Sequence, residues 1–137
     1  MKRLLLVDDN DKYAKLLTDY FKPLGYEIDL AVNASEGLAK FSEHPKEYYD
    51  VIVTDITMES QLAGVFMIKK IHKLGFPGTS VIASTGFDVP GGMFFSRLIL
   101  RSYGVDYIVP KTTVIKKSPL FYSLKGRSKR PLASFPV

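Results

Sequence analysis

The sequence predicts an α/β fold: a doubly wound, five-stranded parallel β-sheet covered by helices on both faces. Short continuous apolar runs, which suit strands buried on both faces, alternate with segments whose apolar residues recur at helical spacing. This alternation is typical of parallel sheets joined by right-handed helical crossovers. The length of 137 residues predicts a single domain with a substantial core.

The first half of the chain shows the alternation plainly. RLLLV is predicted as the first strand, and the following segment has apolar residues at helical spacing up to the stop signal Gly25. YEIDLAV alternates like a second strand. Asn33 and Glu36 resemble a capping box at the start of the second helix. YDVIVTD is the third strand and ends at Asp55.

The second half continues the pattern. GVFMIKKIHKLG and GGMFFSRLILRSYG are predicted as helices, because their apolar residues recur every three or four positions. TSVIASTG and VDYIVPK are predicted as the fourth and fifth strands. These two strands complete a five-stranded sheet.

Residues able to do chemistry follow four of these strands. Asp8 and Asp9 end the first strand, Asp55 the third, Thr85 the fourth and Lys111 the fifth. The carboxyl ends of parallel strands meet at one edge of the sheet, where such proteins hold their reactive groups. We therefore expect three carboxylates, a hydroxyl and an amine to converge there.

This combination suits phosphoryl transfer. Carboxylates such as Asp8 and Asp9 are the ligands that Mg²⁺, or Mn²⁺, prefers. Asp55 is a plausible nucleophile toward a phosphoryl group. Lys111 and Thr85 can contact phosphoryl oxygens, and the reaction needs mainly positioning and charge compensation.

Over residues 2–111 the chain resembles the receiver domain of two-component response regulators, through LLLVDDN, VIVTDITM, VIASTG and DYIVPK. The resemblance implies a flavodoxin-like fold with strand order 2-1-3-4-5. It implies that Asp55 accepts a phosphoryl group from a histidine kinase or phosphotransfer protein. The metal would be held directly by Asp9, Asp55 and the backbone carbonyl of Thr57, and through water by Asp8. The phosphoryl group would be bound by Thr85, Lys111 and the backbone N–H of Gly86.

Three positions depart from the family pattern near this site. Glu59 stands where receivers usually have proline, and it adds an acid close to the predicted metal site. Ile108 replaces the usual aromatic residue three positions before the lysine, and the neighbouring Tyr107 should point to the opposite face of the sheet. Pro110 precedes Lys111, whereas receivers usually have proline after it. We expect Glu59 and Ile108 to modulate signalling.

The largest departure is the C-terminal segment. We divide the chain into a receiver domain, 1–111, and a basic, proline-containing tail, 112–137, that replaces the usual last helix. Pro119 would interrupt that helix, which is therefore predicted to be shortened, displaced or missing. Residues 120–125 could form a helical turn or two, and four apolar residues could fold back to cover the exposed sheet face: Phe121, Tyr122, Leu124 and Phe135. A second copy of the chain could cover the face instead, as a homodimer.

The charge is uneven. Residues 1–110 carry 12 Lys and Arg against 14 acids, whereas residues 111–137 carry seven bases and no acid. Such a basic tail can bind nucleic acid or anionic lipid, but no DNA-binding module follows, so nucleic acid is an unexpected partner. The absence of cysteine, of a signal peptide and of a membrane-length apolar run predicts a cytoplasmic protein.

These observations predict a stand-alone receiver that signals by phosphorylation-dependent binding of a downstream target protein, and not a separate metabolic enzyme. The alternative is a pseudo-receiver, an interaction or dimerisation module that works without phosphorylation. The departures at Glu59 and Ile108 and the unusual tail motivate that alternative. A flavodoxin-like cofactor binder is disfavoured because the chain has neither a G-x-G-x-x-G motif nor a Walker loop.

Overall fold

The computed structural model describes residues 2–55, 63–84, 100–124 and 131–136. The strands are β1 (Lys2–Val7), β2 (Tyr26–Ala31), β3 (Val51–Asp55), β4 (Thr79–Ser84), β5 (Tyr107–Pro110) and β6 (Tyr122–Ser123). The helices are α1 (Asp11–Phe21), α2 (Ala34–Ser42), α3 (Ala63–Lys73) and α4 (Lys111–Ile115). Residues 100–102 are also helical, and the rest of the helix predicted before them lies outside the described residues. Among the described helices, none has the length and apolarity to cross a membrane.

The strands form one sheet in the order β2-β1-β3-β4-β5-β6. The first five are parallel in the predicted order 2-1-3-4-5, which confirms the flavodoxin-like fold. The predicted number of strands was too small, because β6 adds an antiparallel strand beside β5, with Tyr122 opposite Ile108. A turn or two of helix over 120–125 was also wrong for the described part of that segment, since Phe121 forms a β-bridge with Leu132 and β6 follows it.

Each face of the sheet carries its own apolar core. Leu5, Val7, Ile52, Ile82 and Ile108 point to the face covered by α2 and α3. Their neighbours along the strands point to the opposite face, which α1 covers, since side chains alternate along a strand. Burial on both faces explains why the central strands are continuous apolar runs.

The last helix is short, as predicted, and the tail replaces it as cover for the α1 face. Helix α4 has only five residues. Phe121 and Phe135 are buried in the α1-side core, with ring centroids 5.3 Å apart, and each ring also contacts Phe21 of α1. The backbone N–H of Phe135 donates to the hydroxyl of Tyr20, 2.8 Å away. The chain thus buries this face with Phe121 and Phe135 of its own tail. The prediction that Tyr122 and Leu124 cover the same face was wrong, because both pack on the α2/α3 side of the sheet.

Candidate functional site

Asp8 stands at the end of β1, where the backbone holds it firmly. Its N–H donates to the carbonyl of Ala31 at 3.0 Å, which extends the pairing with β2 by one residue. Its carboxylate Oδ1 accepts the N–H of Asn10 at 2.9 Å. Asn10 in turn caps α1, because its side chain accepts the N–H groups of Lys12 and Tyr13. The acidic turn therefore joins the strand to the helix and directs Asp8 toward the edge of the sheet.

Asp55 is the last residue of β3 and is buried. Its carbonyl oxygen accepts the hydroxyl of Thr54 at 3.0 Å. Gly64, near the start of α3, lies so close to that carbonyl that an added Cβ would stand 1.8 Å from the oxygen. A glycine is required there because any side chain would push α3 away from the end of β3. This contact sets the position of Asp55.

Lys111 follows β5 at the start of α4 and is buried, with 7% of its surface exposed. Its ammonium Nζ lies 2.8 Å from Oδ2 of Asp55 and 3.9 Å from Oδ2 of Asp8. The same Nζ lies 4.2 Å from the ring centroid of Tyr13 on α1. The turn between β1 and α1 and the end of β3, both distant from Lys111 along the chain, thus meet at its ammonium group.

The acids Asp8, Asp9 and Asp55 form a cluster in which one carboxylate oxygen from each residue lies within 4.8 Å of the other two. Asp8 and Asp55 are buried, whereas Asp9 is exposed. Burial is the largest effect on Asp8 and raises its pKa to about 6. The hydrogen bond from Asn10 and the charge of Lys111 lower this pKa, whereas the charges of Asp55 and Asp9 raise it further. Holding this carboxylate ionised inside the protein is therefore unfavourable without a further positive charge.

The cluster fits a divalent cation. Oδ2 of Asp8 is buried and has no hydrogen-bond partner among the described residues, although a buried carboxylate oxygen normally has one. Oxygen donors of this kind suit Mg²⁺ or Mn²⁺, which retain several waters and bind few carboxylates. Asp8, Asp9 and Asp55 are the residues that would hold the ion.

The structure thus brings together four of the predicted site residues: Asp8, Asp9, Asp55 and Lys111. Four others lie outside the described residues: Thr57, Glu59, Thr85 and Gly86. Ile108 is fully buried among the residues of the α2/α3 face, whereas Tyr107 packs on the α1 face. The sheet therefore separates the two side chains.

Two features were missed by reasoning from sequence. Tyr13 is one of the apolar residues at helical spacing after the first strand, and spacing alone indicates no more than a core position, yet its ring also contacts Lys111. Tyr122 lies opposite Ile108 in β6 and packs against the same core. One sequence feature did indicate that Tyr13 lies near the site: it is in the first turn of the helix that follows the acid pair. Nothing local predicted the pairing of Tyr122, because it depends on the path of the tail.

A flavodoxin-like sheet with acids and a lysine at its carboxyl edge is the arrangement expected of a receiver domain. Comparison with known proteins identifies the family. The family profile for the response regulator receiver domain matches residues 4–114. The chain therefore belongs to the response regulator receiver domain family of two-component signalling. Members of this family are signalling proteins.

Two curated relatives are similar over most of this chain. A transcriptional regulatory protein CpxR homolog from Haemophilus influenzae is 28% identical over 111 residues, covering 81% of this chain and 44% of the relative. Hybrid signal transduction histidine kinase L from Dictyostelium discoideum is 30% identical over 114 residues, covering 73% of this chain and 7% of the relative. The chain thus spans less than half the length of either relative.

Solved structures of receivers share the fold. The response regulator TrrA from Thermotoga maritima, in complex with Mg²⁺-BeF, has 29% identity and a TM-score of 0.65, covering 85% of this chain and 99% of that one. The Vibrio cholerae chemotaxis protein CheY4 has 20% identity and a TM-score of 0.68, covering 85% and 94%. The latter likeness concerns the fold alone.

Proposed function

We propose that this receiver accepts a phosphoryl group on Asp55 from a histidine kinase or phosphotransfer protein in a reaction that depends on Mg²⁺ or Mn²⁺. The observation that carries the proposal is the contact between Lys111 Nζ and Asp55 Oδ2, 2.8 Å apart, beside two further carboxylates within 4.8 Å. The Mg²⁺-BeF complex of the related TrrA supports a phosphoryl and magnesium chemistry.

The reaction transfers the phosphoryl group without net oxidation or reduction. A carboxylate oxygen of Asp55 forms a bond to phosphorus while the bond from phosphorus to the donor nitrogen breaks, and the nitrogen keeps that electron pair and takes up a proton. A bound divalent cation would offset the negative charge of the carboxylates and of the phosphoryl oxygens. Lys111 is already at the acceptor and would pair with a phosphoryl oxygen once Asp55 is modified.

The remaining site residues enter as part of the same proposal. The carbonyl of Thr57 would complete the metal site, and Thr85 with the N–H of Gly86 would bind phosphoryl oxygens. Glu59 and Ile108 would modulate the lifetime or the readout of the modified state. Asp9 is exposed and would remain accessible to the hydrated ion.

We further propose that the receiver, 1–111, acts with its basic C-terminal segment, 112–137, as a stand-alone cytoplasmic regulator. Its output would be binding of a downstream target protein, with homodimerisation through the C-terminal region as a second mode.

The alternative is a pseudo-receiver that binds partners without phosphorylation. One observation favours it: β6 and the tail aromatics cover β5 and the α1 face, so the region beside Lys111 is packed differently from an ordinary last helix. A C-terminal region that is already packed in this way suits a constitutive interaction module. The two functions differ in whether Asp55 is ever modified.

Intact-mass measurement with Mg²⁺ and acetyl phosphate separates them. We expect one added phosphoryl group on the wild type and none with EDTA or in Asp55→Asn. Asp19→Asn, an exposed acid on α1, is the matched control and should behave as the wild type. Absence of the adduct together with absence of Mg²⁺ binding would leave the pseudo-receiver as the function.

A further inference from the structure

The ring of Tyr13 is the third partner of the Lys111 ammonium. Its centroid lies 4.2 Å from Nζ, well within the distance at which a cation is attracted to the face of an aromatic ring. The other two partners are the carboxylates of Asp55 and Asp8. We propose that Tyr13 is a positioning residue that holds the Lys111 ammonium at the acceptor. This inference rests on the phosphoryl-accepting function proposed above.

Tyr13 is itself held in place. Its backbone N–H donates to the side chain of Asn10 at 3.2 Å, so its position in the first turn of α1 is set by the helix cap. Its ring is half-buried and packs against the apolar core of the α1 face. Because Asn10 also donates its N–H to Asp8, the turn Asp8–Tyr13 places a metal-site carboxylate and the aromatic partner of Lys111 together.

An aromatic ring can hold the ammonium of Lys111 without adding a third negative charge beside it. A lysine side chain loses rotamer freedom when it is held in one conformation, and the contacts that hold it must together offset that loss of entropy. The ring attracts the ammonium but carries no net charge, so it competes neither for the divalent cation nor with the phosphoryl oxygens. When Asp55 is modified and its oxygen is engaged with phosphorus, the ring contact remains and keeps Nζ at the site.

The ring face, and not the phenol hydroxyl, is therefore the functional group. Tyr13→Phe keeps the face and should behave as the wild type. Tyr13→Leu keeps an apolar side chain against the core but removes the face. Tyr103 provides a matched control, because its ring lies 4.7 Å from Nζ of Lys69. Tyr103 precedes β5, whereas Lys111 follows that strand. Tyr103→Leu removes a similar contact away from the acids.

The first readout does not involve phosphorylation. In the full chain with ¹³C-labelled lysine, NMR should show the Lys111 Hε protons shifted upfield by the ring, with the signal assigned by its loss in Lys111→Arg. The shift should disappear in Tyr13→Leu, persist in Tyr13→Phe and persist in Tyr103→Leu. A Lys111 signal that Tyr13→Leu leaves unmoved would overturn the proposal.

The second readout is the rate of adduct formation on Asp55 with Mg²⁺ and acetyl phosphate. We expect Tyr13→Leu to be about three- to tenfold slower, the size of one cation–aromatic contact, with Tyr13→Phe within about twofold of wild type. Equal rates for wild type and Tyr13→Leu would overturn the positioning role, as would a Tyr13→Phe rate as low as that of Tyr13→Leu. A wild type that forms no adduct at all would instead refute the phosphoryl-accepting function, and the positioning role with it.

Discussion

The ammonium of Lys111 lies 2.8 Å from Oδ2 of Asp55, and both side chains are buried. The two residues are 56 positions apart in the chain, and they meet because β3 and β5 end at the same edge of the sheet. An ion pair removed from water persists only with good geometry and further charge compensation. The acids and the lysine at this edge therefore form one electrostatic unit, and changing one member should alter the others.

Lys111→Met should bind Mg²⁺ more tightly than the wild type. The ammonium repels a divalent cation and occupies Oδ2 of Asp55, so its removal leaves that oxygen to the metal. We expect the Kd for Mg²⁺, measured by titration calorimetry, to fall about three- to tenfold, while adduct formation on Asp55 slows. Lys116→Met, at an exposed lysine after α4, is the control. An unchanged or higher Kd would show that the ion pair does not oppose the metal.

Asp8→Asn should stabilise the metal-free protein at neutral pH. Burial raises the pKa of Asp8 from 3.8 to about 6, so the folded state binds this proton more tightly than the unfolded chain does. The contribution of Asp8 to stability is therefore full below about pH 4 and is lost as pH rises through 6. In EDTA at pH 7.5 the Asn variant should be more stable by about 2 kcal/mol in urea unfolding, and nearly equal to wild type at pH 4.

The exposed neighbour provides the control for that measurement. Asp9→Asn should change the urea-unfolding profile much less, because its carboxylate stays hydrated. Excess Mg²⁺ should reverse the order of Asp8→Asn and wild type, since only the wild type retains the negative charge at this position that would help to hold the ion. A stability difference that does not vary with pH would contradict this account.

Gly64→Ala should damage both stability and the site. The added Cβ would meet the carbonyl oxygen of Asp55 at 1.8 Å, so α3 or the end of β3 must move. We expect a loss of about 1–3 kcal/mol in the free energy of unfolding, together with weaker Mg²⁺ binding, because Asp55 is a predicted ligand. A variant with wild-type stability and wild-type Mg²⁺ affinity would mean that the close approach is relaxed at no cost.

Phe121→Ala should destabilise the protein by about 3–5 kcal/mol, measured by thermal or urea unfolding, because a fully buried ring is removed from the α1-side core. Phe135→Ala should behave similarly. Since the two rings lie 5.3 Å apart, the double variant should lose less than the sum of the single losses. Leu132→Ala, at an exposed position, is the control and should cost little. A Phe121→Ala variant as stable as this control would show that the tail does not belong to the core.

Much of the site could be predicted from the sequence because each acid and the lysine directly follows an apolar strand. Asp8, Asp55 and Lys111 need no knowledge of packing beyond the rule that parallel strands share a carboxyl edge. Tyr13 could not be placed in the same way. Its helical spacing accounts equally for an apolar core residue, and only the position of Lys111 across the sheet edge gives its ring a second contact.

The amino-acid sequence by itself determined the alternating strands and helices, the order of reactive residues and the loss of a full last helix, because local periodicity and Pro119 act within a few residues. The sequence left two covers open for the exposed face, the tail's own apolar residues or a second copy of the chain, and tertiary structure decided which tail residues cover it and on which side of the sheet the others pack. The pairing of Tyr122 with Ile108 and the packing of Phe135 on Phe21 join segments far apart in the chain. Such contacts depend on which apolar surface is left uncovered once the sheet has formed, and no local pattern encodes that surface.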